Sequence, residues 1–191
     1  MKHHYNNRPL RVYTQKMNIQ YQHFESLPST SDYVKQNWQK LNAITVISTD
    51  LQTAGRGQGK DTWESTPGGM FASILMKEPQ LRIPLKDITL KVADTIRLLA
   101  YQNFGIQLHI RYPNDLLYEG KKICGILTES SLQGGQINYL AIGIGFNFNQ
   151  KVFSKELKDI AISLHQITNK IYDVSLYTKL IFEQIAKEIS K

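Results

Sequence analysis

Apolar and polar positions along this chain follow two rhythms. Tyr33, Val34, Trp38 and Leu41 recur at helical spacing, and Ser29, Thr30 or Ser31 can cap the start of that helix. Residues 43–49 (AITVIST) and 70–76 (MFASILM) are short β-branched or apolar runs that predict strands. An edge strand is expected over 19–24. Pro84 and Lys86 open a long helix with Ile88, Val92, Ile96 and Leu99 on one face and Gly105 as its stop. A short strand over 108–111 ends at Pro113, and a Pro-Asn-Asp turn joins it to a strand opening with Lys121-Lys122. Residues 122–131 and 136–146 are strands separated by a segment holding Gly134-Gly135, which predicts an antiparallel hairpin. Residues 150–173 are less regular. Residues 175–189 form an amphipathic helix with Leu176, Leu180, Ile181, Ile185 and Ile189 inward. The pattern is α/β: a mixed, partly antiparallel sheet of five or more strands flanked by helices.

Composition narrows the class. The 191 residues suffice for one well-buried domain, and 41% hydrophobic with 20% charged residues is ordinary for a globular protein. No apolar run nears the ~20 residues that span a bilayer. Residues 1–13 are polar and basic, unlike a secretory signal, so residues 1–17 are read as a flexible leader and the protein as cytoplasmic. His3 and His4 in that leader are read as solvated rather than metal-binding. One cysteine, Cys124, permits no intramolecular disulfide, and its apolar neighbours mark it as a small core residue rather than a nucleophile. The net charge of +7 favours anionic partners, but the basic residues are scattered, which fits a nucleotide site better than a nucleic-acid surface.

The candidate chemistry lies in loops and strand ends. In Ala54-Gly55-Arg56-Gly57-Gln58-Gly59-Lys60-Asp61-Thr62-Trp63, alternate glycines let the backbone approach a ligand, and Arg56 and Lys60 add charge suited to phosphate. The loop lacks the ending of a P-loop and does not lead into a helix, so alone it reads better as a flexible surface loop. Asn114 and Asp115 fit an Asx turn. Only one of Lys121 and Lys122 can face a given side of a strand. No CxxC or HExxH spacing and no Ser-His-Asp set occurs, which argues against a zinc centre.

Taken together, Arg111-Tyr112-Pro113-Asn114-Asp115, then Lys122 and Gly125-Ile126-Leu127-Thr128-Glu129, resemble the biotin protein ligase family of the biotin/lipoate ligase superfamily. Gln52 to Gly57 with Trp63, the Ser29-Thr30 pair and Gly143-Ile144-Gly145-Phe146-Asn147 extend the resemblance over about residues 29–147. The chain departs from the family at Gln58, where arginine is usual, at Asp61, and in having Arg111-Tyr112 for lysine-tryptophan. The resemblance implies a core like that of class II aminoacyl-tRNA synthetases, with ATP, Mg2+ held through its phosphates, and biotin as ligands. It implies Lys122 and Arg56 as catalytic groups. Biotin would be met by Ser29, Thr30, Ser31, Gln52, Gly55, Arg56, Gly57, Gln58, Lys122, Gly125, Leu127 and Gly145. The nucleotide would be met by Arg56, Lys60, Trp63, Asn114, Lys122 and Asn147.

The implied reaction forms biotinyl-5′-AMP and pyrophosphate, then transfers biotin to a lysine of a biotin carboxyl carrier domain of the acetyl-CoA carboxylase type. The lengths before residue 29 and after residue 147 suggest a single-domain form without a DNA-binding domain or a small C-terminal β-domain. Neither DNA nor a membrane is expected as a partner. Sheet-paired homodimers occur in the family, though no long exposed edge in the sequence requires one here. The alternatives are a lipoate or octanoate ligase or transferase of the same superfamily, and a non-catalytic biotin-binding module.

Overall fold

The computed structural model describes residues 17–190. The expected leader, with His3 and His4, lies outside the described residues except for Met17, which packs against the core. In chain order the elements are β1 (Gln20–Leu27), α1 (Thr30–Asn37), β2 (Ile44–Gln52), β3 (Met70–Lys77), α2 (Ile88–Phe104), β4 (His109–Arg111), β5 (Asp115–Tyr118), β6 (Lys121–Gln133), β7 (Gln136–Phe146), α3 (Leu164–Thr168) and α4 (Val174–Ile189). A single 3-10 turn, Leu85–Asp87, leads into α2.

The strands form one sheet in the order β1-β2-β3-β7-β6-β5-β4. β1 lies parallel to β2, and every other neighbouring pair is antiparallel. The expected mixed sheet is therefore present, with seven strands. α2 and α4 cover one face and α1 covers part of the other. β3 sits centrally with both faces covered, which is why its sequence is an unbroken apolar run. Its Ala72, Ile74 and Met76 face α2 and α4, while Leu75 faces α1. β7 repeats the alternation. Ile142, Ile144 and Phe146 enter the large core, each side chain contributing about 1.5–3 kcal/mol of burial. The intervening Ala141, Gly143 and Gly145 leave the opposite face nearly bare.

Three expectations need correction. The Pro-Asn-Asp turn does not lead straight to the lysine strand, because β5 intervenes. Glu119 (φ 47°) and Gly120 (φ 82°) form a two-residue turn from β5 to β6, a Glu-Gly signal overlooked in the sequence. Asn114 and Asp115 do not spend their side chains on their own turn: Asn114 Nδ2 donates to Ile126 O at 3.1 Å and Asp115 pairs with cations. In α4, Leu176 is 57% exposed rather than inward. It stands half a revolution from Ile185 at 100° per residue, and Ile181, Phe182, Ala186 and Ile189 take the inner face with Ile185.

Among the described residues no helix is long and apolar enough to cross a membrane. Cys124 is fully buried in the core, and burial pushes its thiol far above the ordinary range, so it is inert as expected.

Candidate active site

A groove opens on the bare face of the sheet, beside α1. Its inner end is a cluster of hydroxyls. Ser29 caps α1, its Oγ accepting from Asp32 N at 3.3 Å, and is itself buried. The next two residues therefore turn their hydroxyls toward the sheet. Thr30 Oγ1 and Ser31 Oγ lie 2.8 and 3.1 Å from Ser73 Oγ. Gln52 Oε1 accepts from Thr30 N at 2.9 Å and from Thr30 Oγ1 at 3.2 Å, leaving its amide nitrogen for a long contact with Ser65 Oγ. Gly143 is bare because a Cβ there would sit 2.5 Å from Ser31 Oγ.

The glycine-rich loop folds back over this groove. Gly57 N donates to Asp61 O and Trp63 N to Gly55 O, closing a small hairpin. A side chain at Gly55 would strike the Trp63 carbonyl. The Trp63 indole lies flat in the groove where Gly125 and Gly145 have no side chains. A Cβ at Gly125 would stand 2.7 Å from Trp63 Cζ3, and one at Gly145 would overlap the ring. Trp63 Nε1 is buried without a hydrogen-bond partner. With the indole in place the groove holds only about 100 Å³, below the ~300 Å³ at which small-ligand pockets begin.

Arg56 is anchored on the groove wall. It donates to Glu129 through both terminal nitrogens, at 2.9 and 3.1 Å, and to Asp32 Oδ1 at 2.7 Å. Lys35 Nζ shares Glu129 Oε1 at 2.9 Å. Partial burial works against the Glu129 charge, but hydrogen bonds from Arg56 and Lys35 outweigh it and hold the carboxyl below the usual glutamate range. The Glu129 hydrogen bond correspondingly raises the Arg56 guanidinium above its ordinary value.

Lys122 stands at the other end of the groove. Its Nζ is 2.7 Å from Asp115 Oδ1, a close ion pair, and 5.2 Å from the Trp63 ring centroid. Asp115 also accepts from Arg111 at 2.6 Å. The Lys122 main chain is fixed as well: its N–H donates to Ile160 O, and its carbonyl accepts from Ile162 N. Lys121 points away, toward Lys158 O. Beyond Trp63 and Lys122 lies a second cavity of about 420 Å³, walled by Arg111, Asn147, Phe153 and Leu157. Lys122 and Trp63 border both spaces.

Of the residues expected at the site, Thr30, Ser31, Gln52, Arg56, Gly57, Gln58, Trp63, Asn114, Lys122, Gly125, Leu127 and Gly145 line the groove together. Ser29 serves as the cap, Gly55 lies behind Trp63, and Lys60 is exposed on the outer side of the loop. Asn147 borders the second cavity, but its amide donates to Ile162 O at 3.1 Å and Lys122 O at 3.4 Å. Sequence reasoning missed Ser73, the lone polar side chain inside an apolar strand, and Asp115 and Glu129 as ion-pair partners. Among the described residues no group of three or more His, Cys, Asp or Glu side chains is placed to hold a metal ion.

A mixed sheet carries a glycine-floored groove, a folded-back loop and a lysine shared by two adjoining cavities, an α/β core with one face left open. Residues 23–147 match the profile of the biotin/lipoate A/B protein ligase family, and the chain belongs to that family. It is 39% identical over 135 residues to the bifunctional ligase/repressor BirA of Bacillus subtilis, covering 68% of this chain and 41% of that protein. It is 36% identical over 103 residues to the biotin--[acetyl-CoA-carboxylase] ligase of Paracoccus denitrificans, covering 50% of this chain and 41% of that one. The chain thus spans about two fifths of the length of these relatives. The biotin protein ligase of Aquifex aeolicus, solved with biotin and ATP, superposes with a TM-score of 0.77 at 27% identity, over 88% of this chain and 69% of that one.

Proposed function

We propose that the chain is an ATP-dependent biotin protein ligase. The observation that carries the reading is the position of Lys122 on the border of both cavities, with its ammonium at their junction. Biotin occupies the groove, its ureido ring toward Thr30, Ser31, Ser73 and Gln52, and ATP occupies the cavity beside Arg111 and Asn147. The biotin carboxylate attacks the α-phosphorus. The bond to the bridging oxygen breaks and pyrophosphate leaves with the electron pair. Lys122 offsets the repulsion between carboxylate and phosphate and stabilises the charge that develops between them. Asp115 holds the ammonium in position until substrates arrive. Magnesium, held chiefly by phosphate oxygens and water, supplies further charge neutralisation.

In the second step the neutral ε-amine of a lysine on a biotin carrier domain attacks the acyl carbon of the mixed anhydride. An amide forms, AMP departs with the electron pair, and the amine proton passes to solvent. The relatives' names and the biotin and ATP complex of the Aquifex enzyme support these substrates. The loop over 53–69 acts as the lid, since the indole must leave the glycine floor before a ligand can lie there.

The test is exchange of labelled pyrophosphate into ATP with biotin or lipoate as the carboxylic acid. Exchange with biotin alone is the expected result. Exchange with lipoate alone would move the chain to the lipoate branch, and exchange with neither would sink the adenylation mechanism.

A further inference from the structure

Arg56 has all the marks of a phosphate ligand in sequence, yet its guanidinium is already spent on the sheet and on α1. It makes a two-pronged contact with Glu129 and a third short hydrogen bond to Asp32, and both acids lie outside the loop. Glu129 projects from the same face of β6 as Gly125 and Leu127, opposite Ala141. Its side chain is only 20% exposed and that of Arg56 31%, so the pair is partly shielded from water. Charge-assisted forked contacts of this kind are among the stronger and more geometrically exacting hydrogen bonds. The two cations and two acids (Arg56, Lys35, Glu129 and Asp32) balance one another, leaving no net positive charge there for an anionic intermediate. The loop's other hydrogen bonds to the body are Thr53 N to Leu27 O and Ala54 N to Pro28 O at its near end, and Gln52 Nε2 to Ser65 Oγ, Ser154 Oγ to Glu64 Oε2 and Asn149 N to Gly68 O toward its far end. Between these ends, Arg56 is the fastening made by ion pairs, to Glu129 and Asp32.

We infer that Glu129 and Asp32 are positioning residues that latch the lid through Arg56, so that Arg56 retains the adenylate by keeping the lid shut rather than by touching its phosphate. The inference rests on the ligase reading for its ligand but not for its geometry. The two assignments predict opposite signs for one substitution. If Arg56 is a latch, Glu129→Gln loosens the lid and speeds release of biotinyl-AMP. If Arg56 is a phosphate ligand held in reserve, Glu129→Gln frees it and slows release.

The experiment has two arms. In the ligand-free protein, deuterium uptake of residues 54–63 is compared between wild type and Glu129→Gln, with thermal unfolding as the check that the variant folds. In the second arm, dissociation of preloaded biotinyl-AMP is timed for wild type, Glu129→Gln, Arg56→Gln and the double variant. The latch predicts faster loop exchange and roughly tenfold faster adenylate release in Glu129→Gln, with a matching rise in biotin KM and a smaller change in kcat. It also predicts that the double variant releases adenylate no faster than Arg56→Gln alone. Unchanged loop exchange, slower release, or additive effects would each overturn it. If Glu129→Gln does not fold, Asp32→Asn tests the same sign through the other acid. A wild type that makes no biotinyl-AMP would refute the ligase reading instead, and the exchange arm would still decide the latch.

Discussion

The two faces of the sheet are built from the same strands and do opposite things. Toward α2 and α4, β6 and β7 present Cys124, Ile126, Ile142, Ile144 and Phe146, packed without exposure to water. On the other face the same two strands present Gly125, Leu127, Glu129, Ala141, Gly143 and Gly145. One face is filled by its own side chains, and the other is left short so that something else can fill it. At present that is the indole of Trp63. The contrast shows how a single strand can commit stability to one side and recognition to the other, because successive residues alternate between faces.

The sharpest way to break this symmetry is on the open face. Lys122→Ala should lower the adenylation rate by roughly 10³-fold, by analogy with loss of a preorganised charge donor, while the melting temperature barely moves because Arg111 still pairs with Asp115. Pyrophosphate exchange and thermal unfolding measured on one preparation would check both halves; near-full exchange would remove Lys122 from its central role. On the filled face, Ile142→Ala should do the reverse, costing about 2–5 kcal/mol of stability with biotin KM little changed in the folded fraction. Denaturant titration reads it.

Gly143→Ala sharpens the comparison further. Its new methyl would press on Ser31 Oγ and Ser73 Oγ, so biotin KM should rise on the order of tenfold with little loss of stability. If stability fell and KM held, the bare face would be a packing feature. The smallest effect concerns acidity. The Glu129 carboxyl is held below its ordinary value near 4.5, so its contribution to lid closure is complete above that pH. That contribution declines as pH falls through the lowered value of the closed state. Loop exchange, corrected for intrinsic rates, should therefore rise on acidification below pH 4.5, and more steeply in wild type than in Glu129→Gln, which keeps only the Asp32 arm of the latch.

Local chemistry made much of this legible in advance. The helix cap within Ser29–Ser31, the Gly105 stop and the Gly134-Gly135 hairpin each depend on a few neighbouring residues; the cap falls on Ser29, one of the three candidates, and the other two stand where the sequence indicated. The groove was visible as a set of motifs, since glycines on alternate residues of β7 are a pattern within one strand. Longer-range pairing was not legible. Glu129 meets Arg56 across 73 residues and Lys35 across 94, separations no periodicity reports. Ser73 passed unremarked inside an apolar run, and only the sheet brings it under Thr30 and Ser31. The neglected β5 is four residues long, too short for alternation to stand out from the turns on either side.

The indole on the glycine floor has one more consequence. The chain holds two tryptophans, and Trp38 packs at a tilt against Tyr139, away from the groove. Trp63 alone must change its surroundings when a ligand lies on Gly125 and Gly145, trading a dry seat beside an ammonium for a wetter one. The protein thus carries its own optical reporter. On the proposed ligand placement, emission from one native side chain would follow occupancy of the groove in real time, with no label attached, and Trp38→Phe would leave that signal standing alone.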